Sequence, residues 1–184
     1  SEMCIRDRFN AKDYTNSIVS LTMAENVAQQ LNDCFYLGRI YNTMGDLYNA
    51  TYNSDAQLQC RKLAVEQFAK VNDKEYYRWA MLELATAYTD AGEQDKCLDI
   101  LNSLVYASDE DSLFMADCME AAITPLIMSG NYREAKIVID SLKRIPLYIL
   151  SANNYANLVR CYLNSGQLDS TLIILNQMKK TRRQ

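Results

Sequence analysis

The sequence predicts an all-α protein built from repeated helix–turn–helix units. From Tyr77 to Leu104, apolar residues recur at helical spacing on both sides of Gly92. This is the pattern of two antiparallel helices joined by a tight turn at glycine. The pattern returns at Gly130, 38 residues after Gly92, and at Gly166, 36 residues after Gly130. A fixed period of this size is typical of a helical repeat array.

A looser copy precedes these units, with its turn at Tyr52-Asn53 and its apolar or small positions at Met44, Gly45, Tyr48 and Ala64. Polar and turn residues separate the remaining apolar segments. The predicted helices span residues 13–31, 34–51, 54–71, 74–91, 94–106, 110–129, 132–144, 147–165 and 168–180. These segments give one half repeat and four full repeats in one domain.

The N-terminal part of the chain carries the half repeat. Residues 1–8 do not fit the repeat and are interpreted as a non-native segment or a disordered N-terminus, so the repeat domain spans 9–184, a fragment of a longer chain. The first helix resembles the second helix of a truncated repeat. Its predicted core stripe is Tyr14, Ile18, Leu21, Ala24, Ala28 and Leu31.

Composition and charge exclude several classes of function. The 184 residues include no histidine, which excludes histidine-based acid–base, nucleophilic and metal chemistry, and no carboxylate pair stands out. The formal net charge of −4 disfavours nucleic acid as a partner, including RNA read by helical repeats. No apolar run approaches the roughly 18 residues that a membrane span needs. We therefore expect neither an enzyme nor a cofactor.

The six cysteines are widely spaced, with no CxxC motif. Cys97 lies on an apolar helical stripe, so we expect free thiols that pack as small hydrophobic residues and bind no metal. A disulfide framework is the alternative, but it lacks the cysteine density of small secreted domains. This favours the cytoplasm slightly over the periplasm as the compartment and does not decide it.

The repeat resembles the tetratricopeptide repeat (TPR) family. Met44-Gly45-Asp46-Leu47-Tyr48 matches the first half of the family's signature, and Gly130-Asn131-Tyr132-Arg133-Glu134-Ala135 matches the second half. The resemblance covers roughly residues 11–180, although Met81, Met119 and Tyr155 replace the family's tryptophan. It implies a right-handed α-α superhelix, a solenoid of about four and a half repeats.

The resemblance also implies a non-catalytic scaffold that binds a peptide or protein on a concave face lined by the first helix of each repeat. Carried over by position, that face includes Arg39, Asn42, Asp46, Asn49, Trp79, Leu82, Thr86, Thr89, Asp117, Glu120, Thr124, Asn153 and Arg160. Asp46, Asp117 and Glu120 would make it negative. It therefore differs from the family members that bind acidic C-terminal peptides, and we expect a neutral to basic partner.

Trp79 is the residue that we expect to anchor this partner, because tryptophan is enriched among binding hot spots. The alternative is that Trp79 packs on the preceding repeat. For the whole chain, the alternative function is a ligand-sensing or dimerising region of a larger signalling or transcription-regulatory protein, and self-association belongs to that hypothesis.

Pro125, inside the helix predicted for 110–129, is interpreted as a tolerated kink, or else as a bend that turns Thr124, Ile127 and Met128 toward a ligand.

Overall fold

The structure, a computed structural model, describes residues 11–71, 73–107, 112–145 and 148–181. These residues form nine α-helices and no β-strand, which confirms the predicted all-α class. The chain divides into two compact units between Ala91 and Gly92, with α1–α4 in the first and α5–α9 in the second. The helices are α1 (Ala11–Gln30), α2 (Cys34–Ala50), α3 (Ser54–Phe68), α4 (Lys74–Asp90), α5 (Gln94–Ala107), α6 (Ser112–Met128), α7 (Tyr132–Leu142), α8 (Ala152–Asn164) and α9 (Leu168–Thr181).

The predicted turn glycines have left-handed backbone conformations, with φ of 81° at Gly92, 78° at Gly130 and 70° at Gly166. At Gly130 the amide N–H donates to the Ile127 carbonyl at 3.1 Å, and the next amide donates to the Leu126 carbonyl at 2.8 Å. This pair of bonds is the Schellman motif, which satisfies the last carbonyls of α6. The glycine pattern in the sequence therefore marks real helix ends.

Two non-glycine residues occupy the same position, Asn32 after α1 and Tyr52 after α2, with φ of 52° and 57°. Tyr52 donates its amide to the Asn49 carbonyl at 3.0 Å, as the Schellman motif requires. A left-handed residue that carries a Cβ is strained by roughly 1–2 kcal/mol, and asparagine tolerates this better than tyrosine. The turn predicted at Tyr52-Asn53 therefore forms at a conformational cost.

Replacing Tyr52 with glycine is expected to raise the free energy of unfolding by about 1 kcal/mol, because glycine adopts this conformation without a Cβ clash. The Tyr52 side chain is 95% exposed, so little packing is lost. The matched control is Tyr52→Ala, which removes the ring but keeps the Cβ. Urea denaturation should show a higher midpoint for glycine than for alanine. Equal midpoints for the two variants would contradict the presence of backbone strain at Tyr52.

In the first unit, α2 packs against α1 and α3, and α3 packs against α4. Gly38 of α2 allows α3 to approach α2 closely, because a Cβ at this position would lie 2.8 Å from the Phe68 ring of α3. The Phe68 ring in turn stacks on Tyr76 of α4, with ring centroids 5.4 Å apart. The core of this unit comprises Ala28, Leu37, Ile40, Tyr41, Met44, Cys60, Ala64, Phe68 and Ala80.

In the second unit, consecutive helices from α5 to α9 pack against one another, and α6 also contacts α8. Its main core comprises Ala116, Ile123, Ile139, Leu142, Leu158 and Ile174. Ala135 is fully buried in a second cluster with Leu126 and Cys161. A small residue is therefore required there, because α7 lies close to its neighbours at this point.

Three predicted helices need correction. Helix α3 ends at Phe68 rather than 71, because Lys70 and Val71 donate to the Gln67 and Phe68 carbonyls three residues back, in the tighter 3₁₀ pattern. Helix α7 ends at Leu142 rather than 144. Helix α8 begins at Ala152 rather than 147, because the Ser151 hydroxyl accepts the Asn154 amide at 3.2 Å and caps the helix.

The predicted core stripe of α1 is also wrong in part. Ala28 is buried, but Ala24 and Leu31 are exposed. The reason is that α1 packs along α2, which covers only a narrow strip of the helix.

Pro125 lies inside α6, and the helix continues to Met128. Proline has no backbone N–H, so the Ala121 carbonyl loses its helical partner. Ile127 packs against the core of the second unit, while Thr124 and Met128 are exposed. The hypothesis that the proline turns all three residues toward a ligand is therefore wrong for Ile127.

Five of the six cysteines lie in the described residues, where none of them forms a disulfide, and all but Cys34 are buried. Cys4 lies outside the described residues. Burial raises the pKa of Cys60 and of Cys161, so these thiols stay protonated and pack as small apolar groups.

Among the described helices, none has the length and apolar character that crossing a membrane requires.

Candidate functional site

The predicted binding residues lie on the first helix of each repeat and are divided between the two units. In the first unit, Arg39, Asp46, Asn49 and Trp79 are exposed, and Asn42, Thr86 and Thr89 are half-buried. Leu82 is buried and cannot line a surface, because α4 buries residues on more than one side. In the second unit, Asp117, Thr124, Asn153 and Arg160 are exposed, and Glu120 is half-buried.

An arginine that the sequence analysis did not single out organises this surface in the first unit. Arg61 of α3 is only 2% exposed, and its guanidinium reaches between α2 and α4. One terminal nitrogen donates to the Asn42 backbone carbonyl at 2.9 Å and to its side-chain oxygen at 2.8 Å. The other lies 2.5 Å from Asp46 Oδ1 and 3.0 Å from Glu83 Oε2. Arg61 therefore joins three helices at one point.

Gly45 of α2 makes room for this arginine. A Cβ at Gly45 would lie 2.9 Å from Arg61 Nε and 3.0 Å from its Cδ. Such contacts are too close for a packed core without a shift of the guanidinium. Gly45, the glycine of the TPR-like segment Met44–Tyr48, thus leaves space for the Arg61 side chain as well as letting the helices approach each other.

The Arg61 contacts change the charge expected for the surface. Asp46 and Glu83 carry two negative charges, and one buried guanidinium faces both of them. The cluster keeps a net charge of about −1, with the outer parts of both carboxylates accessible to solvent. Asp46 is therefore paired with a buried cation, and the cluster as a whole remains acidic.

Trp79 lies on the same helix as Glu83, one turn after Glu75. Its indole N–H donates to Glu75 Oε1 at 2.8 Å, and Arg78 pairs with the same carboxylate. The side chain is 38% exposed, so part of the ring faces solvent while its polar edge is fixed. This geometry restricts the ring before any partner binds, which lowers the entropic cost of contact.

Aromatic residues cluster where α2 and α4 begin. The Phe35 ring makes edge contacts with Tyr36 at 5.6 Å and with Tyr76 at 4.9 Å between centroids. Both tyrosines keep about half of their surface exposed. Beside them lies an open depression lined by Phe68, Ala69, Val71, Asp73, Lys74 and Tyr77. Tyr77 is also exposed.

In the second unit, Glu120 of α6 is held by the segment that enters α8. The Tyr148 hydroxyl donates to Glu120 Oε2 at 2.5 Å, and Asn154 donates to Glu120 Oε1 at 2.9 Å. Burial and this hydrogen bond raise the pKa of Tyr148, so the phenol remains a donor. The buried Asn154, rather than the exposed Asn153, is the asparagine that reaches Glu120.

The repeat pattern of the sequence indicates that Arg61 occupies a core position. Nine residues after Gly92 and Gly130 stand Leu101 and Ile139, both buried. Nine residues after the corresponding turn residue, Tyr52, stands Arg61. A charged residue at a core position of a repeat predicts a buried, paired charge. No comparable pattern marks Tyr148, which lies outside the helices.

Comparisons with known proteins give the fold its context. No family model matches the chain, and no curated protein matches it. Among solved structures, the chain is similar to the crystal structure of a candidate kinesin light chain from Podosopora anserina with nearly identical TPR-like repeats. The TM-score is 0.66 at 17% identity, covering 80% of this chain and 76% of the other. This confirms the predicted TPR-like, all-α fold.

Proposed function

We propose that this chain is a non-catalytic scaffold that binds a peptide or protein through the outward surface of its first helices, α2 and α4 in the first unit. The observation that carries this proposal is Trp79, a partly exposed ring fixed by Glu75 on the first helix of a repeat. Large aromatic side chains that lose little conformational freedom on contact are the usual anchors of protein interfaces.

The charges of the described residues support a neutral to basic partner. In the first unit the Arg61 cluster is acidic overall, and both carboxylates are partly exposed. In the second unit, α6 contains Asp117 and Glu120 and no lysine or arginine. Acidic patches of this kind favour cationic segments by direct contact and by steering.

The experiment that tests this proposal is a binding screen of the purified chain against peptides matched in length that differ in net charge. Basic or neutral peptides are expected to bind and acidic ones to fail. Trp79→Ala should weaken binding by about 2 kcal/mol or more, roughly thirtyfold. The matched control is Tyr106→Ala, which removes an exposed aromatic from α5. Preferential binding of acidic peptides, or equal losses in both variants, would contradict the proposal.

A further inference from the structure

Helix α1 exposes a continuous apolar row on the side that faces away from α2. Val19, Met23 and Val27 of α1 and Leu31 directly after it, whose amide still donates to the Val27 carbonyl at 3.1 Å, follow one another at intervals of four residues, and they are 53%, 67%, 56% and 72% exposed. Residues four apart in a helix form a ridge, and this ridge spans about 18 Å at 1.5 Å per residue. Monomeric proteins rarely leave such a contiguous row uncovered.

The repeat pattern does not require these apolar residues. Helix α1 is followed by Asp33, which caps α2, and helix α3 is followed by Asp73, which caps α4. When α1 and α3 are aligned on these two capping residues, Val19, Met23 and Val27 of α1 correspond to Gln59, Leu63 and Gln67 of α3. Two of the three are polar in α3. The additional apolar residues are therefore specific to α1, as an interaction surface on this helix would require.

The surroundings of the row carry almost no charge. Ser20, Asn16, Asn26 and Gln30, all exposed, are its polar neighbours. The one carboxylate in the middle of α1, Glu25, accepts hydrogen bonds from Tyr41 of α2 at 2.8 Å and from Gln29. Glu25 is therefore directed toward α2 and away from the row. An identical helix could face this surface without bringing like charges together.

We infer that the α1 row is the interface with a second copy of this chain, related to the first by a two-fold axis. Antiparallel pairing about residue 25 places Met23 opposite Val27 of the second copy, and Val19 opposite Leu31. Such an arrangement is closed, because the same patch serves both subunits. The four side chains and their polar neighbours from each copy supply an area on the order of the 1,000 Å² that a specific interface needs.

The test begins with sedimentation of the 184-residue chain over a range of concentrations, which should show a monomer–dimer equilibrium. Val27→Glu or Met23→Lys should each weaken the dimer roughly a hundredfold, because a two-fold axis buries each introduced charge twice. The fold should remain intact by circular dichroism, since both side chains are exposed. The control is Leu172→Glu, which places a charge on an exposed apolar position of α9.

The double variant Met23→Lys with Val27→Glu tests the pairing itself. In the antiparallel dimer each new lysine faces a new glutamate, so dimerisation should recover most of the loss of the single variants. A chain that stays monomeric at every concentration overturns the inference. Dissociation by Leu172→Glu alone assigns the interface to α9 and overturns it as well. Dimers that both single variants weaken and the double variant does not restore would refute the antiparallel register.

Discussion

Replacing Phe68 with alanine is expected to lower the free energy of unfolding by about 3–5 kcal/mol, the range for deleting a large buried aromatic side chain. The Phe68 ring is almost fully buried in the first unit, between Gly38 of α2 and Tyr76 of α4. It also makes an edge contact with Phe35, with centroids 6.2 Å apart. Its removal leaves a cavity at the point where α2, α3 and α4 meet, and the helix backbones cannot fill it.

Adding Gly38→Ala to this variant distinguishes a specific fit from general loss of apolar area. In the native background the new methyl group would lie 2.8 Å from the Phe68 ring, so Gly38→Ala should destabilise despite a gain in helix propensity of about 1 kcal/mol. In the Phe68→Ala background the methyl group enters the cavity, and the same substitution should stabilise. Urea denaturation of the four chains measures this coupling. Additive effects would contradict the close approach of α2 and α3.

The second large effect is expected at Arg61, through its anionic partners. Replacing Asp46 with asparagine and Glu83 with glutamine together should destabilise the chain by about 3 kcal/mol, because a buried guanidinium then loses both opposite charges. Arg61→Met should cost less, since it removes the buried charge and leaves two carboxylates that water can solvate. Both variants keep the volume of the replaced side chains nearly constant.

The loss of stability in the double variant of Asp46 and Glu83 is expected to exceed the loss in Arg61→Met. A larger loss for Arg61→Met would mean that the guanidinium contributes mainly through packing, and it would contradict the account of the cluster as a buried cation stabilised by its anions. Asp117→Asn together with Glu134→Gln serves as a control, because it also removes two carboxylates from the chain but leaves the Arg61 cluster intact.

Much of the fold could be predicted because the turns are encoded locally. Gly92, Gly130 and Gly166 each occupy a left-handed position, which glycine adopts without strain, and the apolar periodicity fixes the helices between them. The predicted helix ends fail where tertiary contacts intervene. The segment before α8 is not helical, because Tyr148 is bound to Glu120 of α6 and Ser151 caps the helix.

The candidate site could be predicted only as a set of positions. Family register assigned residues to the first helices, but it could not show that Asp46 is held by Arg61, a residue of the second helix. That ion pair depends on Gly45, whose missing side chain leaves the space for the guanidinium. The burial of Leu82 has a similar origin, since it depends on how far neighbouring helices cover α4. Such effects arise between helices, where single-sequence periodicity carries little information.

The assignment of the binding surface to Trp79 is tested most directly by the emission of Trp79 during titration with a basic peptide that binds the chain. Trp79 is the one tryptophan in the sequence, so its fluorescence reports this site alone. If Trp79 contacts the partner, its emission should change in a saturable way, with a midpoint that matches the affinity measured independently. The Tyr106→Ala variant should give the same titration as the unchanged chain. Binding that saturates while the Trp79 emission stays constant would place the partner elsewhere and contradict the assignment of the site.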